Sequence, residues 1–272
     1  MQQREPLRFA RRTVRFLLHT RWGGVATILA LLAFWQAGSL LKILHPVYIP
    51  RITVIFQALY EVIASGELLQ DYQVSLFRMA MGFGISAVLA IACGLLIGYS
   101  RAVFNLTEPV IEFCRPTPVS AIIPIVILLF GIGNEMKIFI VAWASFWPIL
   151  VNTIDGVRGV DRVLVQTARV FGVTRWELFR KVILHAASPH IVTGMRVSVA
   201  ISLIVTVIAE MLAGNSGIGF FVLDAERSFR IPEMYAGVFS LAVVGYLVNR
   251  LFVYLESSVM AWHKGLTSKE GR

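Results

Sequence analysis

The feature that most constrains this chain is a series of long apolar segments separated by shorter polar stretches. A helix needs about 20 apolar residues to cross the hydrocarbon core of a bilayer, and most of these segments approach that length. The predicted spans are residues 25–44, 74–99, 119–131, 138–154, 191–213 and 235–255. In the second of these spans, Gly94 and Gly98 have the spacing of a small-xxx-small helix-packing face. Only 15% of the residues are charged, whereas a soluble domain carries about a quarter. The sequence therefore predicts an all-α integral membrane protein with six transmembrane helices.

Basic residues are concentrated in segments that six crossings place on one side of the membrane. These segments include the N-terminal tail 1–24, the loop 155–190 and the C-terminal tail 263–272, whereas the opposite loops have balanced charges. Because lysine and arginine mark the cytoplasmic side, we expect both termini to be cytoplasmic and residues 25–262 to form one membrane domain. A nucleic-acid partner is not expected, since the basic residues flank apolar runs rather than forming a basic surface.

The loop 155–190 interrupts the apolar pattern with a charged stretch that carries clear helix signals. Apolar residues at helical spacing form one stripe of a first short helix: Val160, Leu164, Ala168 and Phe171. Gly172 follows directly, at the position where a left-handed residue normally ends a helix. The pattern predicts a helix that ends in a glycine corner.

A second helix is predicted to start immediately after this corner. Thr174 and Glu177 have the spacing of a capping box, in which each side chain accepts a hydrogen bond from the other residue's backbone N–H. Val173 and Leu178 occupy the two positions of a hydrophobic staple. We expect this second helix to run to about residue 187, before the fifth span begins.

Two interpretations of this loop are open. An amphipathic hairpin lying on the lipid surface would also be basic and would contain a tryptophan such as Trp176. Such a hairpin has no need of a sharp corner between two well-specified helix ends, whereas a projecting knob that docks on a soluble partner does. We therefore favour the knob.

The fifth predicted span carries small and polar residues at every fourth position: Ser198, Ser202, Thr206 and Glu210. Polar side chains facing lipid are unfavourable, so this stripe is expected to face protein or water. It is either a helix-packing seam or part of a translocation pathway. An ionisable residue such as Glu210 at this depth is a functional candidate, although it would equally form an ion pair with Arg78 or Arg227.

Motifs for chemical catalysis are absent from the sequence. No G-x-x-x-x-G-K-[ST] loop is present to cradle ATP phosphates, no H-E-x-x-H motif occurs, and the five histidines have no metal-ligand spacing. Catalytic residues and a metal site are therefore not expected. An intramembrane enzyme is a weak alternative, and a secondary transporter is another. An ion-coupled carrier would more often show intramembrane acid–base pairs and broken helices in two related halves.

The loop also resembles a known family. The stretch "DRVLVQTARVFGVTRWELFRKVILHAASPHIVTGMR" is similar to the cytoplasmic loop of permease subunits of ATP-binding-cassette importers. Residues 166–168 stand where that family has Glu-Ala-Ala, and Gly172 matches its glycine, while His185 replaces a proline and Pro189 matches a later one. Residues 75–83, 115–133 and 209–220 resemble permeases for nitrate, sulfonate and taurine in the same way.

The resemblance implies the type I importer fold, multi-pass in the cell inner membrane, with the first loop helix docked on a cytoplasmic ATPase. The residues it assigns to this coupling are Leu164, Thr167, Ala168, Arg169, Phe171, Gly172, Val173 and Trp176. The implied partners are two ABC ATPase subunits, an extracytoplasmic solute-binding protein and a second copy of this chain. This chain itself binds no cofactor, since ATP and Mg belong to the partner ATPase.

The resemblance also favours a pathway role for the fifth-span stripe. The solute it implies is a small anion such as a sulfonate, taurine, nitrate or bicarbonate, with a pyrimidine as the alternative. Transport would occur by alternating access, in which movement of the ATPases is transmitted through the loop to the membrane helices.

Overall fold

The computed structural model describes residues 21–41, 45 and 47–260, and every regular element within them is a helix. The helices are α1 (Arg21–Leu40), α2 (Ile52–Ala64), α3 (Glu67–Tyr99), α4 (Arg101–Cys114), α5 (Val119–Phe130), α6 (Asn134–Arg158), α7 (Arg162–Val170), α8 (Arg175–Ala213), α9 (Ile218–Arg227) and α10 (Ile231–Val259). Most of the predicted N-terminal tail, the predicted C-terminal tail and positions 42–44 of the first predicted span lie outside the described residues. The all-α membrane fold class is confirmed.

Within the described residues, fewer than six helices qualify as membrane spans by their own length and composition. In the described residues, α3, α6, α8 and α10 are long and apolar enough to cross a membrane. The pair α4 and α5 qualifies as a fifth only when taken together, across a bend of 96°. The apolar part of α1, Gly24–Leu40, is shorter. Six full spans are thus not confirmed, because α5 has 12 residues and falls short of the length that a straight crossing needs.

α3 begins seven residues before the second predicted span. Its first turns contain Asp71, which lies outside the predicted span, and the polar residues Ser75 and Arg78, which lie inside it. All three side chains form hydrogen bonds with residues 210–218, so the polar turns are stabilised by tertiary contacts. α4 was not predicted as a separate element; one of its faces packs on the core through Phe104 and Ile111.

α8 is one continuous helix, which corrects the predicted end of the second loop helix near residue 187. Pro189 lies inside α8 and has no N–H, so the carbonyl group of His185 loses its usual helical donor. The hydroxyl group of Ser188 donates a hydrogen bond to that carbonyl over 2.8 Å, which compensates for the missing donor. A π-helical turn, Leu178–Ile183, lies nearer the start of α8. The loop is thereby joined directly to the fifth span.

α3, α6 and α8 form the centre of the molecule and approach one another closely. Gly94 and Gly98 of α3 were predicted to form a packing face, and this is confirmed. A Cβ atom at Gly94 would lie 2.6 Å from Cβ of Thr153, and one at Gly98 would lie 2.8 Å from Cβ of Val157. Small residues allow two backbones to meet in this way inside a membrane.

The contact between α6 and α8 depends on Gly156 in the same manner. A Cβ atom there would lie 2.7 Å from Cβ of His190 and 3.0 Å from the carbonyl oxygen of Ala187. We expect Gly156→Val to lower the free energy of unfolding by about 1–3 kcal/mol, because overpacking forces the two backbones apart. Gly84→Val is the matched control, since a Cβ at Gly84 meets nothing within 4 Å. Equal thermal midpoints for both variants in detergent would contradict this account.

α2 packs its apolar face against α10, as an amphipathic helix would. Ile55 and Ala58 of α2 form a buried cluster with Ala236 of α10. Trp35 of α1 joins this cluster, and its indole N–H donates to the carbonyl oxygen of Pro50 over 3.1 Å. From the sequence, helical spacing predicts an amphipathic helix before Gly66, with its apolar stripe formed by Ile52, Ile55, Leu59, Val62 and Ile63. The helix is present and the stripe packs inward, except at Ile63, which is exposed.

Candidate functional site

The charged loop forms a projecting knob, defined here as residues 161–177, made of α7, a corner and the first turn of α8. Asp161 caps α7, its carboxylate accepting a hydrogen bond from the backbone N–H of Val163 over 2.8 Å. No residue of α7 is buried. The helix is therefore specified by its two ends and by the packing of its partly buried residues, rather than by fully buried side chains.

The corner has the hydrogen-bond pattern of a Schellman motif. Gly172 adopts a left-handed conformation with φ of 72°, and its N–H donates to the carbonyl oxygen of Arg169 over 3.0 Å. The N–H of Val173 donates to the carbonyl oxygen of Ala168 over 3.2 Å. These two bonds satisfy carbonyl groups that a helix end would otherwise leave unpaired. The predicted corner is present at Gly172.

The predicted capping box is also present. Thr174 Oγ1 accepts from the backbone N–H of Glu177 over 3.3 Å, and Glu177 Oε2 accepts from the backbone N–H of Thr174 over 3.2 Å. Lys181 Nζ forms an ion pair with Glu177 Oε1 at 2.9 Å. Val173 and Leu178, the predicted staple, pack in the same cluster. The direction in which α8 leaves the corner is thus fixed by local sequence.

The inward face of α7 differs from the predicted stripe. Val160 and Ala168 pack against a cluster formed by Val157, Leu178, Ile183, Ala187 and Ile191, and Val165 packs there as well. Leu164 and Phe171, by contrast, are 47% and 81% exposed. Phe171 is exposed because it lies beyond the last helical residue. Leu164 is exposed because Val165 occupies the inward position, and a residue one place earlier points in a different direction around the helix.

The outward face of the knob carries an unusual amount of exposed apolar surface. Of the eight predicted coupling residues, Ala168 and Val173 are half-buried and the others are exposed. The large apolar side chains on this surface are Val163, Leu164, Val170, Phe171 and Trp176. We call these five residues the knob patch. A patch of this kind is typical of a contact with another protein or with a membrane surface.

The knob is connected to α3 as well as to α6 and α8. Trp176 stacks on Phe179 with 6.0 Å between ring centroids, and Phe179 packs edge-on against Tyr99 at 5.8 Å. Tyr99 is the last residue of α3. A displacement of the knob would therefore reach three membrane helices at once.

The fifth-span stripe lies inside the protein. Ser198, Ser202, Thr206 and Glu210 are fully buried. Ser198 Oγ donates to the carbonyl oxygen of Ser145 on α6 over 2.8 Å, whereas Ser202 and Thr206 donate to carbonyl groups of α8 itself. In this conformation the stripe is a packing seam, the first of the two predicted alternatives. Its role in a pathway stays a prediction, and it would require α6 and α8 to separate.

Glu210 is the centre of a buried polar network. Its Oε1 atom accepts from Arg78 Nη1 at 2.7 Å, and its Oε2 atom accepts from Ser75 Oγ at 2.8 Å and from the N–H of Gly219 at 3.0 Å. Of the two predicted alternatives for its partner, the structure has Arg78. Arg78 Nε also donates to Asn134 Oδ1 over 2.8 Å, and Nη1 donates to the carbonyl oxygen of Ser216 over 2.8 Å.

This network ties α3, α6 and α8 to the loop 214–217 and to α9. Asp71 accepts from the N–H of Gly217 over 2.6 Å, and Ser75 accepts from the N–H of Ile218 over 2.9 Å. Gly217 has φ of 101°, a conformation that favours glycine. Sequence reasoning found Glu210 and Arg78 but not the other members, because polar residues in a loop give no periodic signal.

A cavity of about 340 Å³, which we call the α6 cavity, opens on the opposite half of α6 from the network. Trp143, Trp147 and Asn152 of α6 line it together with Arg115, Thr117 and Ile201. From the sequence, packing is the favoured role of the two tryptophans, with the lining of a path as the alternative; the structure places both tryptophans and Asn152 at a cavity. Within the described residues, no group of three His, Cys, Asp or Glu side chains has the geometry of a metal site.

The chain matches a family profile over residues 86–260, and that family is described as the binding-protein-dependent transport system inner membrane component. The chain belongs to this family of permeases. This membership favours transport over the enzyme and secondary-transporter alternatives, and it confirms the resemblance found in the knob sequence.

Curated relatives of the permease agree with the family. It is 34% identical over 232 residues to the putative aliphatic sulfonates transport permease SsuC of Bacillus subtilis, covering 85% of this chain and 84% of the relative. It is 35% identical over 186 residues to the nitrate import permease NrtB of Synechocystis sp., covering 68% of each chain.

Solved structures support the fold. An inward-facing structure of the MetNI methionine ABC transporter aligns with a TM-score of 0.64 at 16% identity, covering 72% of this chain and 97% of the solved one. At this identity the likeness concerns the fold alone. The permease thus has the helix arrangement of an ABC importer subunit.

Proposed function

We propose that the permease is one half of an ATP-driven importer for a small anion. Two copies would pair about a two-fold axis, because one chain offers one knob and one set of membrane helices. Two ABC ATPase subunits would dock on the two knobs, and a solute-binding protein would deliver the anion from the other side. The chain would lie in the cell inner membrane with both termini in the cytoplasm, as the basic tails and loop suggest.

The observation that carries this proposal is the exposed knob patch on a locally specified element. A knob whose corner and caps are fixed by its own sequence behaves as a rigid lever. Its base shares a cluster with α6 and α8, so ATPase movement would shift the balance between inward-open and outward-open states. ATP and Mg would be held by the ATPase, and this chain would bind neither.

The substrate class is supported by the relatives. SsuC is named for aliphatic sulfonates and NrtB for nitrate, and both solutes are oxyanions. We propose an oxyanion of this class as the solute of this permease, with the fifth-span stripe of Ser198, Ser202, Thr206 and Glu210 separating from α6 during the transport cycle.

The lever role is tested at Gly172. Gly172→Val forces a β-branched residue into the left-handed region and is expected to abolish ATP-driven uptake in proteoliposomes. Gly172→Asn is the matched control, because asparagine tolerates this conformation and a Cβ here meets nothing within 4 Å. We expect the Asn variant to retain most of the uptake. Normal uptake by the Val variant, inserted at wild-type level, would refute the lever.

A further inference from the structure

The α6 cavity has a chemistry that neither the knob nor the Glu210 network uses. Among the described residues that line it, Arg115 is the charged one, and none carries a carboxylate. The guanidinium group of Arg115 forms no ion pair within the described part of the chain. An unpaired guanidinium beside a cavity is a preferred partner for planar or tetrahedral oxyanions, since its N–H groups form two parallel hydrogen bonds.

The remaining walls of this cavity are mostly apolar. Trp143 and Trp147 meet in a T-shaped contact with 5.1 Å between ring centroids, and Val119 and Ile201 lie on the wall as well. A ligand that fills this space therefore needs an apolar part in addition to an anionic group. Nitrate has no apolar part, whereas an alkanesulfonate has both.

The two tryptophans also have free hydrogen-bonding capacity. Within the described residues, the indole nitrogen atoms of Trp143 and Trp147 are buried and have no hydrogen-bond partner. Buried donors without partners are uncommon in folded proteins. Neither N–H group is therefore committed to another acceptor in this part of the chain.

A neighbouring cavity of about 210 Å³ shares Arg115 but has the opposite character. Glu108, Glu112 and Asp155 line it, so it repels anions. The acidic neighbour restricts an anion bound at Arg115 to the side of the α6 cavity.

We propose that the α6 cavity is a binding site for organic sulfonates, with the sulfonate group at Arg115 and the carbon chain against Trp143 and Trp147. This proposal rests on the importer function above and narrows its substrate class from oxyanions in general to amphiphilic ones. The site lies within the permease itself, so it selects solutes independently of the binding protein.

The test is equilibrium binding of radiolabelled butanesulfonate to the permease–ATPase complex in nanodiscs, without binding protein. Affinity is expected to rise about fourfold for each methylene group from methanesulfonate to butanesulfonate, as apolar burial predicts. Nitrate should compete poorly. Arg115→Gln is expected to weaken butanesulfonate binding at least tenfold, and Arg115→Lys should weaken it less.

Arg101→Gln is the matched control, because Arg101 is also exposed and is not among the residues that line the cavity. The proposal would be overturned if Arg115→Gln bound butanesulfonate with wild-type affinity. It would also be overturned if nitrate, methanesulfonate and butanesulfonate all competed equally strongly. If the complex assembles and hydrolyses ATP in response to binding protein, those results refute the sulfonate site alone. If the wild-type permease fails to assemble with any ATPase, the importer function itself fails.

Discussion

Phe171→Asp is expected to release the ATPase from the permease while leaving the membrane domain folded. Phe171 is 81% exposed at the tip of the knob and has no role in the core. Burying a phenylalanine in an interface contributes about 2–3 kcal/mol, and aspartate would replace this gain with a charge that loses its water. We therefore expect ATPase affinity to fall on the order of a hundredfold, measured by co-purification and by surface binding of the ATPase to immobilised permease.

Phe229→Asp is the matched control for this experiment. Phe229 is 78% exposed and lies between α9 and α10, which follow the end of α8 that is remote from the knob. Its φ of 55° is a conformation that aspartate tolerates better than phenylalanine, so folding should not suffer. ATPase affinity should be unchanged in this variant. Equal loss in both variants, or none in Phe171→Asp, would show that the knob patch does not dock the ATPase.

Glu210→Leu is expected to destabilise the permease by about 3–5 kcal/mol, because it leaves the buried guanidinium group of Arg78 without its counter-charge. Arg78 and Glu210 side chains are 3% and 0% exposed, so water cannot replace the lost partner. The backbone N–H of Gly219 would lose its acceptor as well. The thermal midpoint in detergent and hydrogen exchange in α9 would both report the change.

The double variant Arg78→Met with Glu210→Leu separates the cost of an unpaired charge from the value of the pair. Replacing a buried ion pair by apolar residues is often close to neutral, so the double variant should recover much of the stability lost in Glu210→Leu. Glu210→Gln keeps the acceptor for Gly219 and should fall between the wild type and Glu210→Leu. A double variant less stable than Glu210→Leu would mean that Arg78 is held mainly by Asn134 and Ser216.

Features set by neighbouring residues were predictable from the sequence. The corner at Gly172, the capping box of Thr174 and Glu177, and the packing face of Gly94 and Gly98 all appear where the spacing placed them. A helix end is specified by a few adjacent side chains, and a packing face of this type by two glycines four residues apart. A short stretch of sequence therefore contains the whole pattern that predicts each of them. The centres of most predicted spans were likewise correct, since apolar runs of this length have few alternatives in a bilayer.

Three features of the fold departed from the prediction, each for a different physical reason. α3 starts seven residues early, and the early turns contain Asp71, whose carboxylate accepts a hydrogen bond from the backbone N–H of Gly217, 146 residues away. α8 continues through Pro189 because Ser188 satisfies the exposed carbonyl group of His185, whereas proline spacing alone indicates a break. The inward face of α7 was displaced by one residue, because a helix of nine residues has too few turns to define its buried side.

By itself the sequence determined that the chain enters a membrane, that a capped knob interrupts it, and where the corner of that knob lies. These properties follow from apolar run length and from local hydrogen bonds, which need no other part of the chain. Three further properties required the three-dimensional structure: the polar stripe of α8 is a packing seam in this conformation, Glu210 pairs with Arg78, and Arg115 meets Trp143 and Trp147 at one cavity. Each of these joins residues from separate helices, and helix packing rather than spacing brings them together.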